Sequence, residues 1–173
     1  MARIEYADSQ ASDAPNVTRM LANASPAVFD ATTALLLSLM TQSALDPRLR
    51  ELAILRVGYT SNASYELFQH EPFARFVGLS NEQIAAIRAG DCNSPVLTEV
   101  QTAVLEFVDD VVANVRASDR TLAAVTGFLD RTQLSDLILV IGQYMAVCRF
   151  LETTGVDLDE QAVDWNEFTS ENI

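Results

Sequence analysis

Glu66 and His70, four positions apart, are the residues of this chain best suited to moving protons, and His70 is its only histidine. On a helix from 62 to 77, positions 63, 66, 67, 70, 73, 74 and 77 share one face. That face reads Ala63, Glu66, Leu67, His70, Phe73, Ala74, Val77, so the two polar groups interrupt an apolar stripe. A buried carboxylate is costly unless it is paired or protonated, so Glu66 must meet a partner or titrate abnormally. Its i,i+4 neighbour His70 is the nearest candidate. On the preceding helix Glu51, Leu55 and Gly58 share a face, and Gly58 lets another element or a ligand approach closely. Glu51 is thus a third titratable group for the same cleft. Two carboxylates and an imidazole with shifted pKa values are equipment for general acid/base catalysis. The structural alternative is a buried or surface Glu–His pair with no chemistry. Pro72, which cannot donate to the carbonyl of Phe68, favours a kink and a local polar pocket beside His70.

Helices must position these groups. Helical spacing runs through nearly all of the chain from Asn16, and strand-like alternation is absent. The spacing predicts helices near 16–24, 27–44, 47–59, 62–77, 81–89, 98–116, 119–130 and 133–154. Ser25-Pro26 and Asp46-Pro47 place a capping side chain before a proline at the first helical position. Ser80 with Gln83 and Thr98 with Gln101 match capping boxes. Gly78, Gly90 and Gly155 fall where helices stop. The fold class is all-α, a bundle of about seven to eight helices with short connections. Residues 1–14 read as a flexible N-terminal arm, 15–156 as one helical domain, and 157–173 as an acidic tail of solvated charge. The helix at 133–154 is apolar nearly all round, so it belongs at the centre or in a subunit interface. Trp165 and Phe168 are aromatic anchors by which the tail could dock.

Composition excludes several functions. A net charge of -13 opposes nucleic-acid or anionic-membrane surfaces, which are held by clustered cations. The longest apolar run, around 31–40, is about half of the ~20 residues that cross a bilayer. No secretory leader is visible in MARIEYADSQASDAP, so a cytoplasmic location is the default. Cys92 and Cys148 form no C-x-x-C, and one histidine with scattered carboxylates makes no recognisable metal site.

The spacing of Glu51, position 63, position 66 and His70 matches E-x11-C-x2-C-x3-H, the pattern of the AhpD-like alkylhydroperoxidases within the carboxymuconolactone decarboxylase family. The blocks RLRELAILRVGYTSNASYELFQHEPFARFVGLSNEQIAAI and LILVIGQYMAVCRFLETTGVDLD also resemble that family and together cover most of residues 46–158. Ala63 and Glu66 stand where the attacking and resolving cysteines would be, so a thiol peroxidase is disfavoured. The resemblance implies an AhpD-like bundle, a homo-oligomer (trimer or hexamer) and no metal or organic cofactor. It also implies an enzyme closer to the decarboxylases, a lyase or isomerase acting by acid/base chemistry on a small organic acid or lactone. His70 is then the acid/base, with Glu66 or Glu51 as its partner. Arg56, Arg75 or Arg149 become candidate anion anchors, although each also fits a structural ion pair, and Tyr65 and Tyr144 candidate pocket walls, although packing explains both. A non-catalytic, oligomeric ligand-binding member of the family is the remaining alternative.

Overall fold

The computed structural model describes residues 1–7 and 14–164. Among them are eight helices and no strand: α1 (Asn16–Leu21), α2 (Pro26–Thr41), α3 (Pro47–Ser61), α4 (Ser64–Phe76), α5 (Asn81–Ala89), α6 (Glu99–Asn114), α7 (Asp119–Thr126) and α8 (Arg131–Thr154). The fold is all-α, as read from the sequence. The boundaries follow local chemistry. Ser80 and Thr98 close capping boxes with Gln83 and Gln101, and Asp130 with Gln133 forms a third. Asp46 caps α3 by accepting from the Arg48 amide, whereas the Ser25 side chain makes no such bond and only Pro26 marks the start of α2. Gly90 and Gly155 end α5 and α8 in the left-handed conformation.

The centre of the bundle is α3 rather than α8. Residues 49–55, Val57 and Gly58 of α3 are all buried, packed among α4, α5, α6 and α8. Because α3 has no outward face over this span, its adjacent charged pair Arg50 and Glu51 is buried too, at 4% and 0% exposure. The long α8 buries one stripe, Leu137, Val140, Ile141, Tyr144, Cys148 and Leu151, and leaves Ile138 and Leu139 about half exposed. Contrary to the longest-run estimate, α8 is long and apolar enough to cross a membrane, but its inner stripe forms the core with α3.

Residues of both terminal segments are bonded to the bundle and to each other. The Arg3 amide donates to the Thr154 carbonyl at 2.8 Å, and the Met1 amino group pairs with Asp157 at 2.6 Å. Tyr6 donates to Asp157 and lies under the Arg19 guanidinium. Asp157 and Asp159 are therefore hydrogen-bonded acceptors rather than simply solvated charge. The tail anchors Trp165 and Phe168 lie outside the described residues.

Candidate active site

Helices α3 and α4 are joined by a tight turn. Asn62 adopts the left-handed conformation with φ 52°, and the Ala63 amide donates to the Gly58 carbonyl at 3.0 Å. Gly58 permits the close approach: a Cβ there would lie 3.0 Å from Leu67 Cδ2 and 3.6 Å from Glu66 Cγ, so the Leu67 side chain would have to shift. This antiparallel pairing brings Glu51, Glu66 and His70 together as expected. His70 Nδ1 lies 2.8 Å from Glu51 Oε2, which places a proton on Nδ1 and turns Nε2 toward Glu66. His70 Nε2 lies 3.1 Å from Glu66 Oε1. That oxygen nevertheless accepts no hydrogen bond, because the ring nitrogen does not point along the contact. Arg50 Nε reaches the other Glu51 oxygen at 3.4 Å, and its guanidinium lies 5.9 Å from the centre of the Phe73 ring.

Burial dominates the electrostatics. Desolvation pushes Glu66 up to about 7, opposed by His70 and reinforced by Glu51. For His70 desolvation acts downward, but the charges of Glu66 and Glu51 and the Glu51 hydrogen bond outweigh it and hold the imidazole above its ordinary value. Glu66 and His70 therefore titrate as a coupled pair, each shifting the other through its charge. Glu51 and Glu66 flank opposite nitrogens of one ring rather than converging, and no group among the described residues is arranged to hold a metal.

Glu66 and His70 form the floor of a cavity of about 240 Å³ walled by α1, α2, α4 and α8. Tyr144 shares the floor. Its ring meets His70 edge-on at 5.1 Å, and its hydroxyl donates to the Met40 thioether at 3.1 Å, a weak acceptor. Burial drives the Tyr144 phenol well above its ordinary value, so it remains a donor. Tyr65 lines the cavity as expected, but its hydroxyl is committed to Asp159. Gln69, which the stripe at 66, 70, 73 and 74 left out, donates to Asp159 at 2.7 Å and accepts from the Val163 amide at 2.9 Å. Asp159 also accepts from the Asn16 amide at 2.8 Å, so Tyr65 and Gln69 tie both terminal segments over the cavity mouth. The missed signal is the pair Tyr65 and Gln69, itself at i,i+4 on the adjoining strip of α4.

The three candidate anion anchors are not in the cavity wall. Arg56 is held by Asp109 and the Ile87 and Arg88 carbonyls, where it closes the end of α5. Arg75 pairs with Glu71 at 3.0 Å and bonds Asn81. Arg149 lines a separate depression with Cys148 and Glu152. The arginine that touches the site is Arg50, and it does so from behind, through Glu51. Neither cysteine replaces the missing pair: burial pushes the Cys148 thiol up to about 12 and also raises Cys92.

The Carboxymuconolactone decarboxylase family model matches residues 26–110, a span that contains Glu51, Glu66 and His70. No curated protein matches the chain. Among solved structures it is similar to a protein of unknown function from Agrobacterium tumefaciens, provisionally described as the antioxidant defence protein AhpD. That likeness has 25% identity and TM-score 0.73, and covers 81% of this chain and 96% of the other. A peroxidase-related protein with an alkylhydroperoxidase AhpD core from Ralstonia eutropha JMP134 gives 19% identity and TM-score 0.72, over 89% and 78%. A cysteine-to-alanine variant of the debrominase Bmp8, in complex with 2,3,4-tribromopyrrole, gives 12% and 0.72, over 84% and 78%. These last two show the fold alone.

Proposed function

We propose that this carboxymuconolactone decarboxylase-like chain, AhpD-like in fold and without the paired cysteines, is a cofactor-independent proton-transfer enzyme, an isomerase or a lyase. The observation that supports this most is Glu66 Oε1, buried on a cavity floor with a free lone pair, in a carboxyl held near neutral pKa. In the ionised form Glu66 takes a proton from a carbon next to a substrate carbonyl. The electron pair moves to the carbonyl oxygen, where the Tyr144 hydroxyl is placed to donate in exchange for its weak contact with Met40. Return of the proton from Glu66 to a different carbon completes an isomerisation. If carbon dioxide leaves instead, protonated Glu66 delivers its proton to the enolate carbon and completes a decarboxylation. His70, oriented by Glu51, lies 3.1 Å from Glu66 and tunes it through its charge. Thiol peroxidase chemistry is not part of the proposal, since Ala63 and Glu66 stand in for both sulfurs.

The test is exchange in deuterium oxide with a panel of enolisable ketones and lactones, followed by loss of the C–H proton signal. Removing a positioned general base costs roughly 100-fold or more. Glu66→Gln should therefore abolish exchange and His70→Gln should shift its pH profile. Exchange equal in the wild type and both variants would overturn the reading.

The same proposal places the protein in the cytoplasm as a homo-oligomer. Val28 and Leu35 of α2 and Ile138 and Leu139 of α8 are exposed, giving apolar surface that a second copy could cover. Light scattering coupled to size exclusion should return a mass of three or six chains, and a monomer would refute it.

A further inference from the structure

We propose that the substrate of this site is an uncharged, largely apolar molecule the size of a substituted six-membered ring, carrying a carbonyl or hydroxyl and not a carboxylate, so that of the two reactions above the site serves the isomerisation and not the decarboxylation. The role given to its oxygen rests on the proton-transfer reading; its charge and size rest on the cavity. The wall is mostly hydrocarbon, chiefly Val17, Leu21, Leu36, Leu37, Met40 and Val147, with Thr18, Thr33 and the Asp159-bonded Tyr65 and Gln69 as its uncharged polar members. The polar groups at the floor are Glu66, His70 and Tyr144, two of which act on hydrogen and one of which donates to oxygen. An apolar cavity of about 150 Å³ accommodates benzene. One of about 240 Å³ takes such a ring with a few substituent atoms.

The permanent cations lie outside the cavity. All eleven basic residues are arginine, and none of them is among the described residues that line the cavity. The remaining segments, DSQASD at 8–13 and WNEFTSENI at 165–173, contain none. Arg50, the nearest in the site's network, is bonded to Glu51 and stacked against Phe73. An entering carboxylate would lose its hydration among leucines, find as counter-charge only the His70 ring, already flanked by Glu51 and Glu66, and stand beside those two acidic side chains. A neutral carbonyl or hydroxyl incurs none of these costs and finds the Tyr144 donor.

The experiment compares three probes of matched size at pH 7: 4-ethylcyclohexanone, 4-ethylphenol and 4-ethylbenzoate. Calorimetry supplies the affinities, and the ring resonances of the single histidine report binding at the floor. The two neutral probes should bind at least tenfold more tightly than the benzoate and should move the His70 signals. Benzoate binding as tight as that of the neutral probes, or no shift of His70 with any probe, would overturn the proposal. Leu37→Arg adds a cation at the half-exposed mouth without touching the floor. It should raise benzoate affinity at least tenfold, and an unchanged affinity would equally overturn the electrostatic argument. No probe needs to turn over. Loss of the neutral preference with exchange intact removes only the substrate class, and loss of exchange with the preference intact removes only the proton-transfer reading.

Discussion

Replacing Glu66 by Gln keeps the volume of the side chain and removes its titration, so the variant isolates what burying this carboxyl does to stability. In the folded chain Glu66 is pushed from an ordinary value near 4.5 to about 7, mainly by desolvation. Below about pH 4.5 the group is protonated in both folded and unfolded states and contributes no pH dependence. Between about 4.5 and 7 the unfolded chain releases the proton and the folded chain keeps it, so stability falls as pH rises. Above about 7 both are ionised and the full burial cost remains. At about 1.4 kcal/mol per pH unit, that window corresponds to about 3.5 kcal/mol, of which the part above pH 5 is about 3 kcal/mol. His70 acts in the same direction, because its folded-state pKa is raised, so its stabilisation is complete below the unfolded value and is lost as pH rises through the folded one. Glu66→Gln removes the first contribution and, by deleting the Glu66 charge, reduces the second. Denaturant unfolding at pH 5, 6, 7 and 8 should show wild-type stability declining while the variant curve is flatter. The variant should gain on the wild type by about 3 kcal/mol across that range. Parallel curves would refute the assignment of a buried, upshifted carboxyl.

Other consequences follow from single contacts. Glu51→Ala leaves the buried Arg50 guanidinium and His70 without their acceptor, which should cost about 3–5 kcal/mol in denaturant unfolding; a loss below 1 kcal/mol would show that Arg50 escapes to water. Asp159→Ala removes the acceptor for Tyr65, Gln69 and the Asn16 amide, each worth about 1 kcal/mol. Amide exchange in α1 should accelerate about tenfold or more while α3 stays protected, and uniform acceleration would contradict a local tie. Cys148, with its thiol pushed up to about 12, should resist thiol reagents at pH 8 in the native state, whereas a fast peroxide reaction lost in Cys148→Ser would reverse the conclusion about sulfur.

How legible this molecule is depends on the range of the interaction concerned. The capping boxes at Ser80 and Thr98 are local, span three residues, and form as written. The alliance of Glu66 with His70 is also local, because one helical turn puts them together whatever the helix packs against. Glu51 joins through the α3–α4 turn, whose Gly58 and Asn62 signal close approach and a left-handed stop. Arg50 was hidden by the amphipathic assumption. Periodicity gives a helix one inward face, but α3 is enclosed on all sides, so neighbours in sequence are both buried. The role of Asp159 depends on contacts 90 or more residues away, and an acidic run looks solvated until its partners are known. The same holds for the arginines: charge alone cannot tell Arg56, which closes α5 with Asp109, from a ligand anchor.

The most direct test of the account is a carbon-13 NMR titration of the Glu66 carboxyl, followed alongside the ring of His70. The account predicts a Glu66 midpoint near 7 in the wild type, rising further in His70→Gln, because the imidazolium that lowers it is gone. A midpoint in the ordinary carboxylate range near 4.5, indifferent to His70, would contradict it.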